Sequence, residues 1–231
     1  FPNKRMIGLA HDETHPSFAT TWARVQRAHG FPPGDSGAKL KAEVKAYCDT
    51  CLVCAKLKPA REKLEARAGS IRQRPFTQYA FDLIVLSEPD SRGFKYIFAI
   101  IDTFSGAVEL FPLRKAAVID IAECLHDVLQ RWTRPRSVRC DNAKSFAAAA
   151  VKEMLKMARI QQHFVAPYSH VSNGQIENAN RRIEYLLRAM ILDQRLGPSS
   201  KLNWSLLVPA VRGVINARVV GRHGCTPNDL M

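Results

Sequence analysis

The order of apolar segments from Phe76 onward constrains the fold of this 231-residue chain more than any other feature. Three apolar segments follow one another with short connections that contain Gly93 and Gly106, which is typical of an antiparallel meander of strands. We predict these strands at 79–86, 94–102 and 107–113, further strands at 137–140 and 160–165, and helices at 116–132, 146–158, 175–193 and 204–219. This order predicts an α/β domain built on a five-stranded mixed sheet.

Three carboxylates occupy distinctive places in that order. Asp82 lies within the first apolar strand, and Asp141 follows the strand that ends at Cys140. Glu177 lies on a long helix, with 35 residues between it and Asp141. Each of them also has a simpler interpretation. Asp82 could face solvent on its strand, Asp141 could cap the helix that follows it, and Glu177 could interact with the dipole of its own helix. The order of elements resembles the ribonuclease-H-like fold, in which carboxylates from two adjacent strands and a later helix converge. We therefore predict that the three carboxylates hold two divalent metal ions, an arrangement suited to phosphodiester chemistry.

The first 58 residues carry the spacing of a structural zinc site. Its candidate ligands are two histidines four residues apart and three cysteines at intervals of three: His11, His15, Cys48, Cys51 and Cys54. Two histidines and two cysteines complete a closed tetrahedral Zn²⁺ site, and the metal supplies folding energy to a unit too small to build much core. The residues alone leave open whether Cys51 acts with Cys54 or with Cys48. His29, beside a loop rich in Gly and Pro, is a weaker candidate ligand.

The formal net charge of +13 favours a polyanionic partner. No apolar run is long enough to span a bilayer, so we expect no membrane association. Residues 59–75 are charged and bounded by prolines, and we interpret them as a basic linker. Candidate DNA contacts lie before and along the helix that carries Glu177: Asn173, Gln175, Asn180, Arg181 and Arg188.

Together these residues resemble the integrases of retroviruses and retrotransposons. The sequence Cys51-Leu52-Val53-Cys54-Ala55-Lys56 resembles the family's Cys-x2-Cys with its following Lys, and Asp82, Asp141 and Glu177 match its Asp, Asp-35-Glu signature. Residues 172–181 resemble its Asn-Gly-x-x-Glu-x-x-Asn-Arg motif. Residues 226–230 resemble the segment that follows the core in gypsy-like long-terminal-repeat retrotransposons. Ala143, His170 and Asn178 depart from the residues usual in the family.

The resemblance implies a His-His-Cys-Cys zinc domain at 1–58, a linker at 59–75 and a ribonuclease-H-like catalytic core at 76–231. It favours Cys51 and Cys54, with His11 and His15, as the ligands of one Zn²⁺. Two Mg²⁺ or Mn²⁺ ions are implied at Asp82, Asp141 and Glu177. The implied activity is trimming of the 3′ ends of element DNA and their joining to target DNA.

Several partners follow from the same resemblance. They are element and target DNA, further copies of the chain in a dimer or tetramer, and a host chromatin tether. The implied location is the nucleus, preceded by virus-like particles. Because the chain begins at Phe1, we expect it to be a segment of a longer polypeptide. The rival interpretations are a non-catalytic, domesticated DNA-binding or scaffolding protein, and a related transposase or nuclease with the same carboxylate triad.

Overall fold

The computed structural model describes residues 2–12, 15–29, 35–57, 74–140, 146, 148–164, 170–192, 203–220 and 224–231. Within these ranges, the description excludes the side chains of residues 2, 3, 29, 35, 36, 56, 57 and 170–175. The predicted linker at 59–75 lies almost wholly outside the description, so the predicted domain boundaries stay a prediction.

The first part of the chain forms a small helical unit. Its helices are α1 (Pro2–His11), α2 (Phe18–His29), α3 (Asp35–Thr50) and α4 (Leu52–Leu57). Among the described residues, the apolar core cluster of this unit contains the buried Ile7, Val25, Val44 and Cys48. A core of this size buries little apolar surface, and units this small usually need a metal or disulfide for stability.

A five-stranded sheet forms the second part, as predicted. The strands are β1 (Gln78–Val85), β2 (Tyr96–Asp102), β3 (Val108–Leu113), β4 (Ser137–Cys140) and β5 (Gln161–Phe164). Their spatial order is β3-β2-β1-β4-β5, with β1 at the centre. The first three strands pair antiparallel, whereas β4 is parallel to both β1 and β5. The predicted mixed sheet and its antiparallel meander are confirmed.

Helices cover both faces of this sheet. They are α5 (Val118–Arg131), α6 (Ala149–Met157), α7 (His170–Leu192) and α8 (Val208–Asn216), with short 3-10 helices at Trp204–Leu207 and Pro227–Asp229. One apolar cluster joins the sheet to α5 and α6, and a second joins the opposite face to α7 and α8. Among the helices of the described residues, none has the length and apolar character needed to cross a lipid bilayer.

The alternation of side chains along β1 determines the face of the sheet on which Asp82 lies. Tyr79 and Phe81 belong to the cluster under α5 and α6, whereas Ala80 and Ile84 belong to the cluster under α7 and α8. Side chains of a strand alternate between faces. Asp82 therefore lies on the face that α7 covers.

Two helices differ from their predicted bounds. Helix α7 begins at His170, five residues before the predicted start, and continues through Gly174. The packed turns from Ile176 onward stabilise this extension, which offsets the roughly 1 kcal/mol that a glycine costs within a helix. The helix predicted at 204–219 is divided into a 3-10 turn and α8. Pro209, which has no backbone N–H, is compatible with the start of α8 but not with the interior of a longer helix.

A buried carboxylate on the edge strand β3 joins two helices. Glu109 accepts a hydrogen bond from Arg131 of α5 at 2.9 Å and another from Arg212 of α8 at 2.8 Å. The Glu109 side chain is 6% exposed, whereas the side chains of Arg131 and Arg212 are each 41% exposed. The hydrogen bonds from the two arginines therefore replace the contacts with water that the buried carboxylate has lost.

We expect Glu109→Gln to lower the free energy of unfolding of the core by about 2 kcal/mol, because it leaves two neighbouring cations without their shared anion. Urea unfolding measures this loss. The matched control is Glu153→Gln, which removes an exposed carboxylate 3.7 Å from Lys156 and is expected to change stability by less than about 0.5 kcal/mol. Equal effects of the two substitutions would contradict a structural role for the Glu109 contacts.

Candidate active site and metal centre

The predicted zinc ligands lie together between the N-terminal helices. Ligand atoms of four residues all lie within 4.8 Å of one another: His11, His15, Cys51 and Cys54. His11 is the last residue of α1, and His15 has a left-handed backbone with φ of 44°. Cys51 lies between α3 and α4, and Cys54 lies on α4. A left-handed non-glycine residue costs about 1 kcal/mol or more, a cost typical of functional sites.

The spacing of these ligand atoms fits a tetrahedral zinc ion. Cys51 Sγ lies 3.3 Å from His15 Nδ1, and Cys54 Sγ lies 3.5 Å from His11 Nε2. Zinc bonds of about 2.0–2.3 Å correspond to tetrahedron edges of roughly 3.3–3.8 Å. Both histidines are almost fully buried, at 0% and 1% exposure. The donor set and its spacing therefore fit a structural zinc site.

A hydrogen bond from the other ring nitrogen orients His11. His11 Nδ1 lies 3.1 Å from Thr21 Oγ1, and the Thr21 hydroxyl donates to the Ser17 carbonyl at 3.1 Å. Because the hydroxyl proton is used there, Thr21 accepts the Nδ1 proton and Nε2 faces the cluster. Cys48 Sγ lies 3.5 Å from the same Nδ1, within the apolar core of the unit. The structure thus brings Cys54, rather than Cys48, to the other three ligands.

Two buried thiols, one of the cluster and one beside it, have raised pKa values. Burial, together with the neighbouring Cys51, raises the pKa of Cys54 to about 12. Burial likewise raises the pKa of Cys48, which lies beside the cluster. Zinc binds the thiolate, so its binding releases the proton that Cys54 otherwise retains. Metal affinity at this cluster therefore increases with pH.

Asp82 and Glu177 lie on two elements that pack against each other. Both side chains are half-buried, Asp82 on β1 and Glu177 on α7. Asn180 donates a hydrogen bond from Nδ2 to Asp82 Oδ2, and Asp82 Oδ1 accepts the backbone N–H of Leu83 at 2.8 Å. Positions three apart share a helix face. The hydrogen bond from Asn180 therefore turns the face of α7 that carries Glu177 toward Asp82.

The side chain of Asn180 carries a second polar atom, the amide oxygen Oδ1, next to its hydrogen bond with Asp82. Its Oδ1 is buried and, among the described residues, has no hydrogen-bond partner. A buried acceptor without a partner costs about 1–3 kcal/mol, which a water or a hydrated cation would offset. Carboxylate and amide oxygens are the ligands that Mg²⁺ and similar hard ions prefer. The carboxylate and amide oxygen atoms described at this face therefore fit such an ion.

The third predicted carboxylate, Asp141, lies outside the described residues. The residue before it, Cys140, ends β4 and pairs in parallel register with Phe81, the residue before Asp82. Phe81 and Cys140 are both buried in the cluster under α5 and α6. The two positions that directly precede the predicted aspartates are therefore neighbours in the sheet.

The residues predicted to contact DNA differ in their exposure and in their contacts. The side chains of Asn173 and Gln175, on the first turns of α7, lie outside the description. Arg181 is exposed, and Arg188 is exposed with its guanidinium 3.6 Å from Glu184. Asn180 contacts Asp82 instead of pointing into solvent. Contact with DNA by these residues stays a prediction.

The sheet order and the helix that carries Glu177 define a class of fold. The chain is similar to the catalytic core domain of HTLV-2 integrase in complex with magnesium, in a trimeric form, with a TM-score of 0.55 and 19% identity over 68% of this chain and 97% of that one. It is also similar to the catalytic core domain of BIV integrase, with a TM-score of 0.52 and 21% identity over 67% of this chain and 92% of that one. The fold is the ribonuclease-H-like fold of retroviral integrase cores.

The sequence of the same region is similar to a known family. Residues 72–170 match the family model of the integrase core domain. Over this segment the chain is therefore similar to integrase core domains.

Relatives extend the similarity beyond the core. The Pol polyprotein of Radiation murine leukemia virus (strain Kaplan) is 30% identical over 185 residues, which cover 79% of this chain and 30% of that protein. The Gag-Pol polyprotein of Feline leukemia virus is 25% identical over 232 aligned positions, which cover 99% of this chain and 13% of that protein. The chain thus spans less than a third of the length of these relatives.

Two residues of the candidate sites have roles that the sequence-based predictions did not assign. Thr21 orients His11, and Asn180 orients Asp82. Helical spacing from Glu177 indicates that Asn180 shares its face. No local pattern signals Thr21, because its contact joins two helices whose relative placement is set by tertiary packing.

Proposed function

We propose that this chain is the zinc-binding and catalytic part of an integrase that trims the 3′ ends of element DNA and joins them to target DNA. The observation that carries the proposal is the contact between Asn180 and Asp82, which holds the helix bearing Glu177 against the central strand. The match of residues 72–170 to the family model of the integrase core domain supports the same activity.

In this proposal Asp82, Asp141 and Glu177 hold two Mg²⁺ or Mn²⁺ ions. When bound, such ions supply positive charge that stabilises the transition state of an in-line displacement at phosphorus. Asn180 fixes the orientation of the Asp82 carboxylate. The pairing of Phe81 with Cys140 supports a place for Asp141 next to Asp82. Magnesium in the HTLV-2 integrase core supports this choice of ion.

The N-terminal unit has a structural role in this proposal. One Zn²⁺ binds at His11, His15, Cys51 and Cys54 and stabilises a domain at 1–58, which a linker at 59–75 joins to the catalytic core at 76–231. The tetrahedral spacing of the ligand atoms and the small apolar core of the unit support this role.

DNA is the proposed partner of both units. The net charge of +13 supports binding to a polyanion, and the exposed Arg181 lies one turn beyond Glu177, where it suits a phosphate near the reacting end. Arg188, Asn173 and Gln175 are further DNA contacts in this proposal. The assembly we propose is a dimer or tetramer that acts in the nucleus, after passage through virus-like particles and with a host chromatin tether. The trimeric form of the HTLV-2 core supports self-association.

A strand-joining assay tests the proposal. The protein is incubated with Mg²⁺ or Mn²⁺, a duplex whose 3′ end is already trimmed, and a target duplex. We expect joined products from the natural sequence and none from Asp141→Asn, because the amide removes the charge that holds the metal. The matched control is Asp127→Asn, at a carboxylate 52% exposed on α5, and should retain joining.

Each outcome of this assay has a distinct meaning. Joining by Asp141→Asn at the natural rate would remove Asp141 from the metal site. DNA binding without joining by the natural sequence, with either metal, would favour the non-catalytic scaffolding alternative. Cleavage without joining would favour a nuclease of the same fold.

A further inference from the structure

A basic groove lies between helix α6 and the edge strand β5. It has a volume of about 500 Å³. Its lining includes Lys152 and Lys156 of α6, Arg159 of the turn that follows, and the ring of Phe164 on β5. Among the described residues that line the groove, none is acidic. The groove therefore combines a concentration of positive charge with an aromatic surface.

The aromatic ring of this groove is partly accessible. Phe164 is 39% exposed, although it lies on a strand of the sheet. The Nζ atom of Lys152 lies 5.5 Å from the centroid of the Phe164 ring, within the range of a cation–π interaction. A single exposed apolar residue is ordinary at a protein surface. An exposed ring that shares a groove with three cations is a more specific arrangement.

The end of α6 fixes the relative positions of the cations. Lys152 and Lys156 are four residues apart and share a face of the helix. Arg159 has a left-handed backbone with φ of 56°, and its N–H donates to the Lys156 carbonyl at 2.9 Å. The chain turns sharply there, so Arg159 lines the same groove as the two lysines. Lys156 also lies 3.7 Å from Glu153, but both side chains are exposed and such a pair contributes little.

We propose that the basic groove binds an unpaired strand of DNA, with a base stacked on Phe164 and phosphates at Lys152, Lys156 and Arg159. Grooves that bind single strands combine positive charge along the backbone with aromatic rings that stack on the bases. The base faces of a duplex are already stacked on their neighbours, so Phe164 favours unpaired nucleotides. This inference rests on the proposed function and deepens it, because it names a second part of the substrate.

The proposed trimming reaction would supply such a strand. Removal of nucleotides from a 3′ end leaves the 5′ end of the complementary strand unpaired. Phe164 pairs in register with Cys140, which pairs with Phe81, the residue before Asp82. Adjacent strands are about 4.8 Å apart, so the backbones of Phe164 and Phe81 are about 10 Å apart. Phe164 faces α6 whereas Asp82 faces α7, so an unpaired strand in the groove passes around the edge of the sheet from the catalytic face.

The test compares two DNA duplexes that differ only in a short 5′ overhang of thymidines. Fluorescence anisotropy measures the affinity of the whole chain for each. We expect the natural sequence to prefer the overhang duplex about tenfold, and Phe164→Leu to lose most of this preference, because leucine keeps an apolar side chain but removes the stacking surface. Met157→Leu is the matched control, at an apolar residue of the same helix that is 79% exposed outside the groove, and should retain the preference.

A second variant tests the phosphate contacts. Lys156→Gln is expected to reduce the slope of log affinity against log salt for the overhang duplex by about 0.7, the value for one phosphate contact on a single strand. Lys45→Gln is its matched control, because Lys45 lies 3.7 Å from Asp49 on the distant helix α3, just as Lys156 lies 3.7 Å from Glu153. The slope of the control should equal that of the natural sequence. Loss of stability alone would not change the slope in this way.

Photocrosslinking locates the overhang directly. A 5-iodouracil in the overhang forms a covalent bond with an aromatic side chain on which it is stacked, and peptide mass spectrometry identifies the partner. We expect the crosslink at Phe164 and its loss in Phe164→Leu. Thermal unfolding midpoints of the variants verify that each stays folded.

The outcomes separate this inference from the function on which it rests. Equal affinity of the natural sequence for the two duplexes, or a preference that Phe164→Leu retains, would overturn the inference even if strand joining is observed. Binding of an acidic peptide to the groove in place of the overhang would also overturn it and assign the groove to a protein partner. A preference that requires Phe164, without any strand joining, would overturn the proposed function and leave the groove as a site for unpaired DNA.

Discussion

Asp82→Asn is expected to reduce strand joining at least about a thousandfold while the protein stays folded. The carboxylate charge at the centre of β1 is the feature that a divalent ion requires, and metal catalysis supplies several kcal/mol of transition-state stabilisation, with each 1.4 kcal/mol worth a factor of ten. We expect the fold to tolerate the change, because Asn180 Oδ1 is buried without a hydrogen-bond partner in the described part of the chain and the amide can turn to accept from the new NH₂ group. Joining rates and thermal unfolding midpoints measure the two effects separately.

Asn180→Ala provides a graded comparison for this result. It removes the hydrogen bond to Asp82 but keeps all three carboxylates. We expect an intermediate loss of joining, about tenfold to a hundredfold, that higher Mg²⁺ or Mn²⁺ partly restores, because groups that orient a metal ligand act through affinity. A loss as large as that of Asp82→Asn, with no response to metal, would instead place Asn180 in direct contact with the reacting DNA.

Removal of zinc is expected to unfold the N-terminal unit and leave the core folded. The unit buries few apolar residues, and structural zinc contributes about 10–16 kcal/mol of binding free energy in small zinc-dependent units. After treatment with a strong chelator, circular dichroism should show loss of helix, followed by recovery when zinc is returned. The core retains its own apolar clusters on both faces of the sheet and should keep its thermal transition.

Two cysteine substitutions make this result specific. Cys51→Ser removes a ligand and is expected to imitate the chelator, whereas Cys48→Ser changes a residue that lies against the other nitrogen of His11 and should retain zinc. Zinc content per chain, measured on the purified variants, distinguishes them. Loss of zinc from Cys48→Ser but not from Cys54→Ser would restore the alternative ligand set.

Most of the core fold was predictable from local patterns. The three strands of the meander and the strand Ser137–Cys140 are evident from apolar runs and glycine-containing connections, since both signals act over a few residues. Pro209 also signals the start of α8, although the apolar periodicity around it predicts one longer helix. The early start of α7 was not predictable, because packing from Ile176 onward outweighs the unfavourable propensity of Gly174.

Spacing and resemblance predict the residues of the candidate sites but not their surroundings. The structure brings the predicted histidines and cysteines together, whereas the carboxylate site stays a prediction because Asp141 lies outside the described residues. The left-handed backbone at His15 and the hydrogen bond between Thr21 and His11 depend on how helices pack, which no short segment encodes. For the same reason, Asn180 was assigned to DNA although its side chain contacts Asp82.

The central place of β1 has a consequence for the two successive reactions proposed for this chain. Its backbone pairs with β2 through Asp82 and with β4 as far as Phe81, so both ladders restrain the position of Asp82. Among the described contacts, helix α7 packs on the sheet through its side chains and is the more adjustable of the two supports. For the proposed trimming and joining, we therefore expect changes of geometry to come from displacement of Glu177 and not of Asp82.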